Sequence, residues 1–158
     1  RTQPAKTTPN QRDERSRLGT VLFLKGFPSL TYNRFHQQIN AGFGTGSKIP
    51  DNTLHTFDFI ASPDTANGNP LIASGNQDGL YTMGWITGPA TIVMPDPQGR
   101  YQAVELIEPS TGVVRTLHGP STTQVDGPLL FIGRTYAADA SDVPAALTLA
   151  RAITLATR

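Results

Sequence analysis

The stretch from Asn76 to Ile107 constrains the fold more than any other part of the chain, because apolar and polar residues alternate in it between strong turn signals. Alternation with a period of two is typical of β-strands with one buried face. The stretch predicts three strands, Leu80–Thr87, Ala90–Met94 and Tyr101–Glu108, separated by Gly88-Pro89 and by residues 95–99. The stretch therefore supports a β-rich domain.

Further strands and helices are predicted on both sides of this stretch. Alternation and turn punctuation indicate strands at Thr53–Ala61, Gly112–Leu117 and Leu129–Ile132. Apolar residues at helical spacing predict two short N-terminal helices between Asp13 and Ile39, broken near Gly26-Phe27-Pro28, and a C-terminal helix from Asp142 to Ala156 capped by Ser141 or Asp142. The predicted fold class is therefore mainly β: a single antiparallel sandwich or jelly-roll-like domain with N-terminal helices and one C-terminal helix.

Length and composition limit the domain count and the partners. The 158 residues suffice for one domain with its own core. Residues 1–17 are polar, contain two prolines and lack apolar periodicity, so they are predicted to form a flexible polar arm ahead of a single β-rich domain at residues 18–158. A net charge of +1 predicts no nucleic-acid partner, and no apolar run approaches the roughly 20 residues of a membrane span.

The sequence contains no motif that indicates a cofactor or a metal. Residues 41–47, AGFGTGS, look like part of a phosphate loop, but Lys48 is followed by Ile49 where a P-loop needs serine or threonine. The three histidines, His36, His55 and His118, are far apart and lack metal-ligand spacing. The absence of cysteine excludes thiolate ligands and disulfides. We therefore predict no metal and no cofactor.

A pair of glutamates three residues apart invites comparison with glycosidases. An acid and a base carboxylate in such an enzyme face one substrate, roughly 5–10 Å apart. Glu105 and Glu108 lie in a predicted strand, where residues three apart point to opposite faces. The strand prediction therefore argues against this pair as a catalytic site.

A small set of polar residues at predicted strand ends and in adjacent loops forms the candidate ligand-binding site. Arginine can bind a carboxylate through two parallel hydrogen bonds, tyrosine can donate to a developing oxyanion, and aspartate can accept a proton. Each residue also has a structural alternative, with Asp78 as a turn residue paired to Arg100 and the tyrosines as packing. The set comprises Asn76, Asp78, Tyr81, Arg100, Tyr101 and Arg134, none of them assigned a catalytic role.

Several short motifs stand in an order that is informative as a group. They are Gly26-Phe27-Pro28, NQDGLY at 76–81, VMPD at 93–96, GRYQAVEL at 99–106 and Gly133-Arg134-Thr135. Together they resemble the domain of unknown function 1254 family, over Leu18 to the C-terminus. The resemblance implies a β-sandwich or jelly-roll-like domain with helical elements before and after it, in bacterial proteins that are often exported.

The same resemblance implies a second, C-terminal β domain, whereas this sequence ends at Arg158. Three explanations are open: a stand-alone short form, a processed fragment, or a subunit that completes its architecture by association. The sequence begins with Arg1 and not methionine, which leads us to expect that a signal peptide or another upstream segment was removed.

Two functions of different classes are predicted. The first is a secreted, periplasmic or cell-surface domain that acts as a binding or self-assembling structural subunit, with the polar arm docking on a neighbouring copy in a homo-oligomer. The alternative is an enzyme or a small-ligand-binding protein that uses the polar cluster. Imaging or sizing of the native protein separates them, because it reports oligomeric state before any ligand is known.

Overall fold

Two antiparallel sheets and two α-helices make up the structure, a computed structural model that describes residues 9–42, 47–58, 79–137 and 140–157. The helices are α1 (Pro9–Asn40) and α2 (Val143–Ala152), with a 3-10 turn at Ala140–Asp142 before α2. The strands are β1 (His55–Thr56), β2 (Gly79–Ile86), β3 (Ala90–Met94), β4 (Gln102–Ile107), β5 (Val114–His118), β6 (Ser121–Val125), β7 (Leu129–Tyr136) and β8 (Thr154–Thr157).

The larger sheet has the strand order β1-β2-β7-β4-β5 and the smaller one β6-β3-β8, and every pair is antiparallel. Apolar side chains from both sheets meet in one core, with Phe131 and Leu106 from the larger sheet against Ile92 and Val125 from the smaller. Burial of one face of each sheet is what the alternation along the strands predicts. The predicted mainly antiparallel β fold is thereby confirmed.

The opposite face of the larger sheet carries a second apolar cluster. Trp85, Leu130 and Ile107 come from its strands, and Ile39 from the last turns of α1. The ring of His36 stacks on Trp85 with centroids 4.2 Å apart, and its Nε2–H donates to Asp51 Oδ1 over 2.6 Å. The C-terminal part of α1 is thus fixed on the outer face of the larger sheet.

The N-terminal helical region is one continuous helix of 32 residues, so the predicted break near Gly26-Phe27-Pro28 is wrong. An interior proline removes one backbone hydrogen bond and crowds the preceding turn, and a bend can absorb this without ending the helix. The residues on both sides of Pro28 are helical, so the helix continues past this proline. Residues 9–17, within the segment predicted to be a flexible arm, are its first turns, and residues 1–8 lie outside the described part of the chain.

The C-terminal helix ends earlier than predicted. It stops at Ala152, and Ile153 is extended with ψ 120°, so that residues 154–157 form β8 beside β3. Asp142 occupies the N-cap position but its side chain makes no capping hydrogen bond, because the carboxylate accepts from Arg100. Both differences arise from contacts distant in sequence, with β3 and with Arg100.

The predicted strand positions agree with the structure except in four places. The prediction omits β6 and β8, and β7 runs four residues beyond the predicted Leu129–Ile132. Of the predicted strand Thr53–Ala61 only His55–Thr56 pairs with β2, and residues 59–61 lie outside the described residues. The omitted strand β6, STTQV, is rich in hydroxyl residues, so its apolar alternation is weak.

Candidate functional site

The outer face of the larger sheet has a polar end beyond the region that α1 covers. Residues directly opposite each other in an antiparallel pair share a face. Tyr81 lies opposite Arg134, Arg134 opposite Ala103, and Ala103 opposite His118. These four residues form one row across β2, β7, β4 and β5. The row belongs to the outer face, since Tyr81 packs at the margin of the cluster that contains Trp85.

A second row of aromatic side chains lies beside the first. Tyr136 and Tyr101 are each two residues from a member of the first row, and the backbone N–H of Tyr136 donates to the carbonyl of Tyr101 over 3.0 Å. The Tyr101 ring meets His118 edge to face, with centroids 6.1 Å apart. Both tyrosines are exposed, Tyr101 by 50% and Tyr136 by 38%. The Arg134 patch is defined here as Tyr81, Tyr101, His118, Arg134 and Tyr136.

The Arg134 side chain, at the centre of the patch, crosses from β7 to the neighbouring strand β2. A Cβ built on Gly79 would lie 3.1 Å from Arg134 Nε and 3.3 Å from its Cγ, so the side chain lies across Gly79. Within the described residues, the buried Nε has no hydrogen-bond partner. A buried donor that gives up water without a partner costs about 1–3 kcal/mol, and more when the group is charged. Arg134 therefore has an unused directional donor next to three tyrosines.

The guanidinium of Arg100, by contrast, forms hydrogen bonds with Asp142, whereas the structural alternative predicted from the sequence paired it with Asp78. Its Nε donates to Asp142 Oδ1 over 2.9 Å and its Nη2 to the same oxygen over 2.7 Å. The hydrogen bonds to Asp142 raise the pKa of Arg100, against the opposing effect of burial. Arg100 thus joins the start of β4 to the start of α2, and its hydrogen-bonding edge is already occupied.

The structure brings together three of the six predicted site residues. Tyr81, Tyr101 and Arg134 share the outer face, whereas Arg100 is engaged in its ion pair with Asp142. Asn76 and Asp78 lie outside the described residues. His118 and Tyr136 belong to the same patch but were not predicted. Their place in the patch depends on the pairing register of β5 and β7, which local sequence patterns do not specify.

The second candidate surface is the N-terminal two thirds of α1. Seven large apolar residues there are between 42% and 70% exposed: Leu18, Val21, Leu22, Phe23, Leu24, Phe27 and Leu30. The rings of Phe23 and Phe27 lie against each other with centroids 5.2 Å apart. A helix with apolar residues on all sides is normally buried on all sides. This surface is therefore a candidate site of association.

Two other site classes receive no support in the described ranges. No group of three or more histidine, aspartate or glutamate side chains is placed there to hold a metal ion. Among the helices in those ranges, none combines the length and the apolar character that crossing a membrane requires.

Comparison with known proteins identifies relatives of the fold. The family model described as "Protein of unknown function (DUF1254)" matches residues 52–157. The crystal structure of the VPA0106 protein from Vibrio parahaemolyticus is similar, with a TM-score of 0.58 and 18% sequence identity. The similarity covers 85% of this chain and 36% of the VPA0106 chain, so this chain corresponds to about a third of that protein. No curated protein sequence matches the chain.

Proposed function

The chain belongs to the DUF1254 family of proteins of unknown function, and from that premise we propose that it is a self-assembling structural subunit whose copies associate through α1. The observation that carries this proposal is the exposed apolar surface of α1 between Leu18 and Leu30. Monomeric proteins rarely expose a continuous apolar surface of this size, and where they do it marks a contact site. The proposed docking element is thus α1, whose first turns include residues 9–17 of the predicted arm.

The proposed occupant of this surface is α1 of a second copy. The seven apolar side chains lie on all sides of α1, so one partner helix covers some of them and further copies would cover the others. Stable specific interfaces bury about 1,200–2,000 Å². We infer that the contacts of α1 with several copies together, and not one helix pair alone, reach this area.

The spacing of residues along α1 supports an antiparallel pair. The α1 seam is defined here as Asp13, Ser16, Thr20, Phe23, Phe27, Leu30 and Arg34, which alternate at intervals of three and four residues. Intervals of this kind place side chains along one stripe of a helix, as in coiled coils. When two such stripes run antiparallel about Phe23, each Asp13 comes opposite an Arg34 and each Thr20 opposite a Phe27.

The end charges of the α1 seam are available for this pairing. Asp13 and Arg34 are both exposed, and within the described residues neither has an ion-pair partner. A symmetric pair would form two Asp13–Arg34 contacts, one at each end, as an isologous interface requires. Apolar residues outside the α1 seam, such as Val21 and Leu24, leave room for further copies, so a dimer is the smallest assembly expected.

We place such an assembly in an exported, periplasmic or cell-surface protein, as the family resemblance implies. A structural subunit built from helix-to-helix contacts needs neither a metal nor a cofactor.

Phe23→Asp is expected to convert the assembly to a monomer. Phe23 faces its own counterpart at the centre of the α1 seam, so the change puts two carboxylates against each other in an apolar contact. The dimer dissociation constant should rise by about a hundredfold or more. Mass measured by light scattering after size-exclusion chromatography, at about 100 μM, reports the change.

Asn33→Asp is the matched control, because it adds the same charge on the same helix at an exposed position outside the α1 seam. Its mass should equal that of the unaltered chain. Fluorescence of Trp85, the single tryptophan, should be the same in both variants, since it reports the docking of His36. A monomeric unaltered chain at that concentration, or an unchanged mass for Phe23→Asp, would rule out assembly through α1.

A further inference from the structure

We propose that the Arg134 patch binds the carboxylate of a small organic acid with a flat or apolar body. The carboxylate would sit against Arg134, and the body would lie against Tyr101 and Tyr136. This site lies on the outer sheet face and shares no residue with the α1 seam, so it stands independently of the proposed assembly.

The state of the guanidinium indicates an anion. Arg134 Nε is buried and, among the described residues, lacks a hydrogen-bond partner. The guanidinium fork has fixed geometry and matches the two oxygens of a carboxylate or phosphate group. A bound anion would satisfy the donor and recover the cost of its lost hydration.

Arg100 shows such a contact between an arginine and a carboxylate within the same chain. Arg100 engages the Asp142 carboxylate with Nε, at 2.9 and 3.1 Å to the two oxygens, and with Nη2 at 2.7 Å. The contact uses Nε, the atom that in Arg134 is buried and, among the described residues, has no hydrogen-bond partner. A ligand carboxylate at Arg134 would reproduce for a small molecule what Asp142 does for Arg100.

The local charge also favours an acid. Neither row of the Arg134 patch contains a carboxylate side chain. The nearest acidic residue on this face in the described strands is Glu105, opposite Ile132 in the following row. The Arg134 side chain extends away from Glu105 and over Gly79, as its short distances to a Cβ built on Gly79 show. The unpaired positive charge is therefore not compensated by its strand neighbours.

The surroundings of Arg134 indicate the shape of the ligand. Ala103 contributes only a methyl group beside Arg134, and the larger side chains of Tyr101 and His118 lie next to Ala103. Tyr101 and Tyr136 keep exposed ring surface that an aromatic or aliphatic body would cover. An inorganic anion would leave these rings unused, and so the site favours an organic acid.

Titration with benzoate tests the proposal on the full chain. The arginine N–H region of a ¹H–¹⁵N correlation spectrum should show the Arg134 Nε–H signal moving with benzoate, whereas benzamide, its neutral analogue, should leave the signal in place. Arg134→Lys keeps the charge but removes the Nε donor, and should weaken benzoate binding about tenfold. Arg151→Lys, at an exposed position on α2, should bind as the unaltered chain does.

Two further measurements make the outcome decisive. Tyr101→Ala should weaken benzoate but not acetate, since acetate has no body to lie on the ring. Failure of benzoate to move the Nε–H signal would refute the site even if Arg134→Lys folds poorly. Phosphate binding as tight as benzoate binding, with no loss in Tyr101→Ala, would refute the organic acid and leave only a general anion site.

Discussion

Gly127→Ala should lower the free energy of unfolding by about 3–5 kcal/mol, the sum of a backbone in the left-handed region and a steric overlap. Gly127 has φ +41°, and a Cβ there would lie 2.6 Å from the carbonyl carbon of Thr87 and 2.7 Å from the carbonyl oxygen of Ile86. These are backbone atoms, which cannot rotate away. Gly88 lies in the β2–β3 connection and Gly127 in the β6–β7 connection, two of the connections between the sheets, and a Cβ on either glycine would clash with the segment of the other.

Gly112→Ala is the matched control for this prediction. Gly112 has φ +72° but no atom within 4 Å of a built Cβ, so only the backbone cost applies, about 1–2 kcal/mol. Urea unfolding followed by Trp85 fluorescence measures both variants. Equal losses in the two variants would show that the β2–β3 and β6–β7 connections are not in tight contact.

Phe131→Ala should cost about 3–5 kcal/mol, because it removes a large fully buried side chain from the core between the sheets. Phe131 is 0% exposed, and its ring lies against Gly133, where a Cβ would be only 3.0 Å from Cε1. Neighbouring strands cannot close such a gap without breaking their pairing, so a cavity remains. This loss is a large part of the total stability of a domain of this size.

Phe131→Leu should cost less than half as much, since most of the volume remains. Val93→Ala, on the solvent side of the smaller sheet at 40% exposure, should cost well under 1 kcal/mol. Thermal and urea unfolding rank the three variants. A Phe131→Ala protein as stable as Val93→Ala would mean that the core does not lie between these two sheets.

The sequence predicts the strands of this protein well because their signals are local. Alternation from Leu80 to Thr87 and the Gly88-Pro89 turn are complete within about ten residues, and β2 and β3 form where they indicate. The apolar residues of α1 are also visible in the sequence, but their local spacing does not show which of them pack on this domain. Within the described residues, the C-terminal turns of α1 contribute to the apolar cluster on the larger sheet, whereas the apolar residues from Leu18 to Leu30 are exposed.

Parts of the candidate site that depend on strand register could not be predicted. Nothing local to Arg134 or His118 shows that both flank Ala103, because β4, β5 and β7 are joined only through pairing. The partner of Arg100 is 42 residues away, in a segment predicted to be a helix cap. Tyr81, Tyr101 and Arg134 were found by their chemistry, and their common face follows from the register.

The central claim, that α1 pairs with α1, is tested most directly by reversing the charges at the ends of the α1 seam. Asp13→Arg alone places like charges opposite each other at both ends, as does Arg34→Asp alone, and each should weaken the dimer about tenfold at low salt. The double variant restores opposite charges and should recover the affinity of the unaltered chain, measured by analytical ultracentrifugation. Two single variants that associate like the unaltered chain, or a double variant no better than either, would contradict antiparallel pairing through α1.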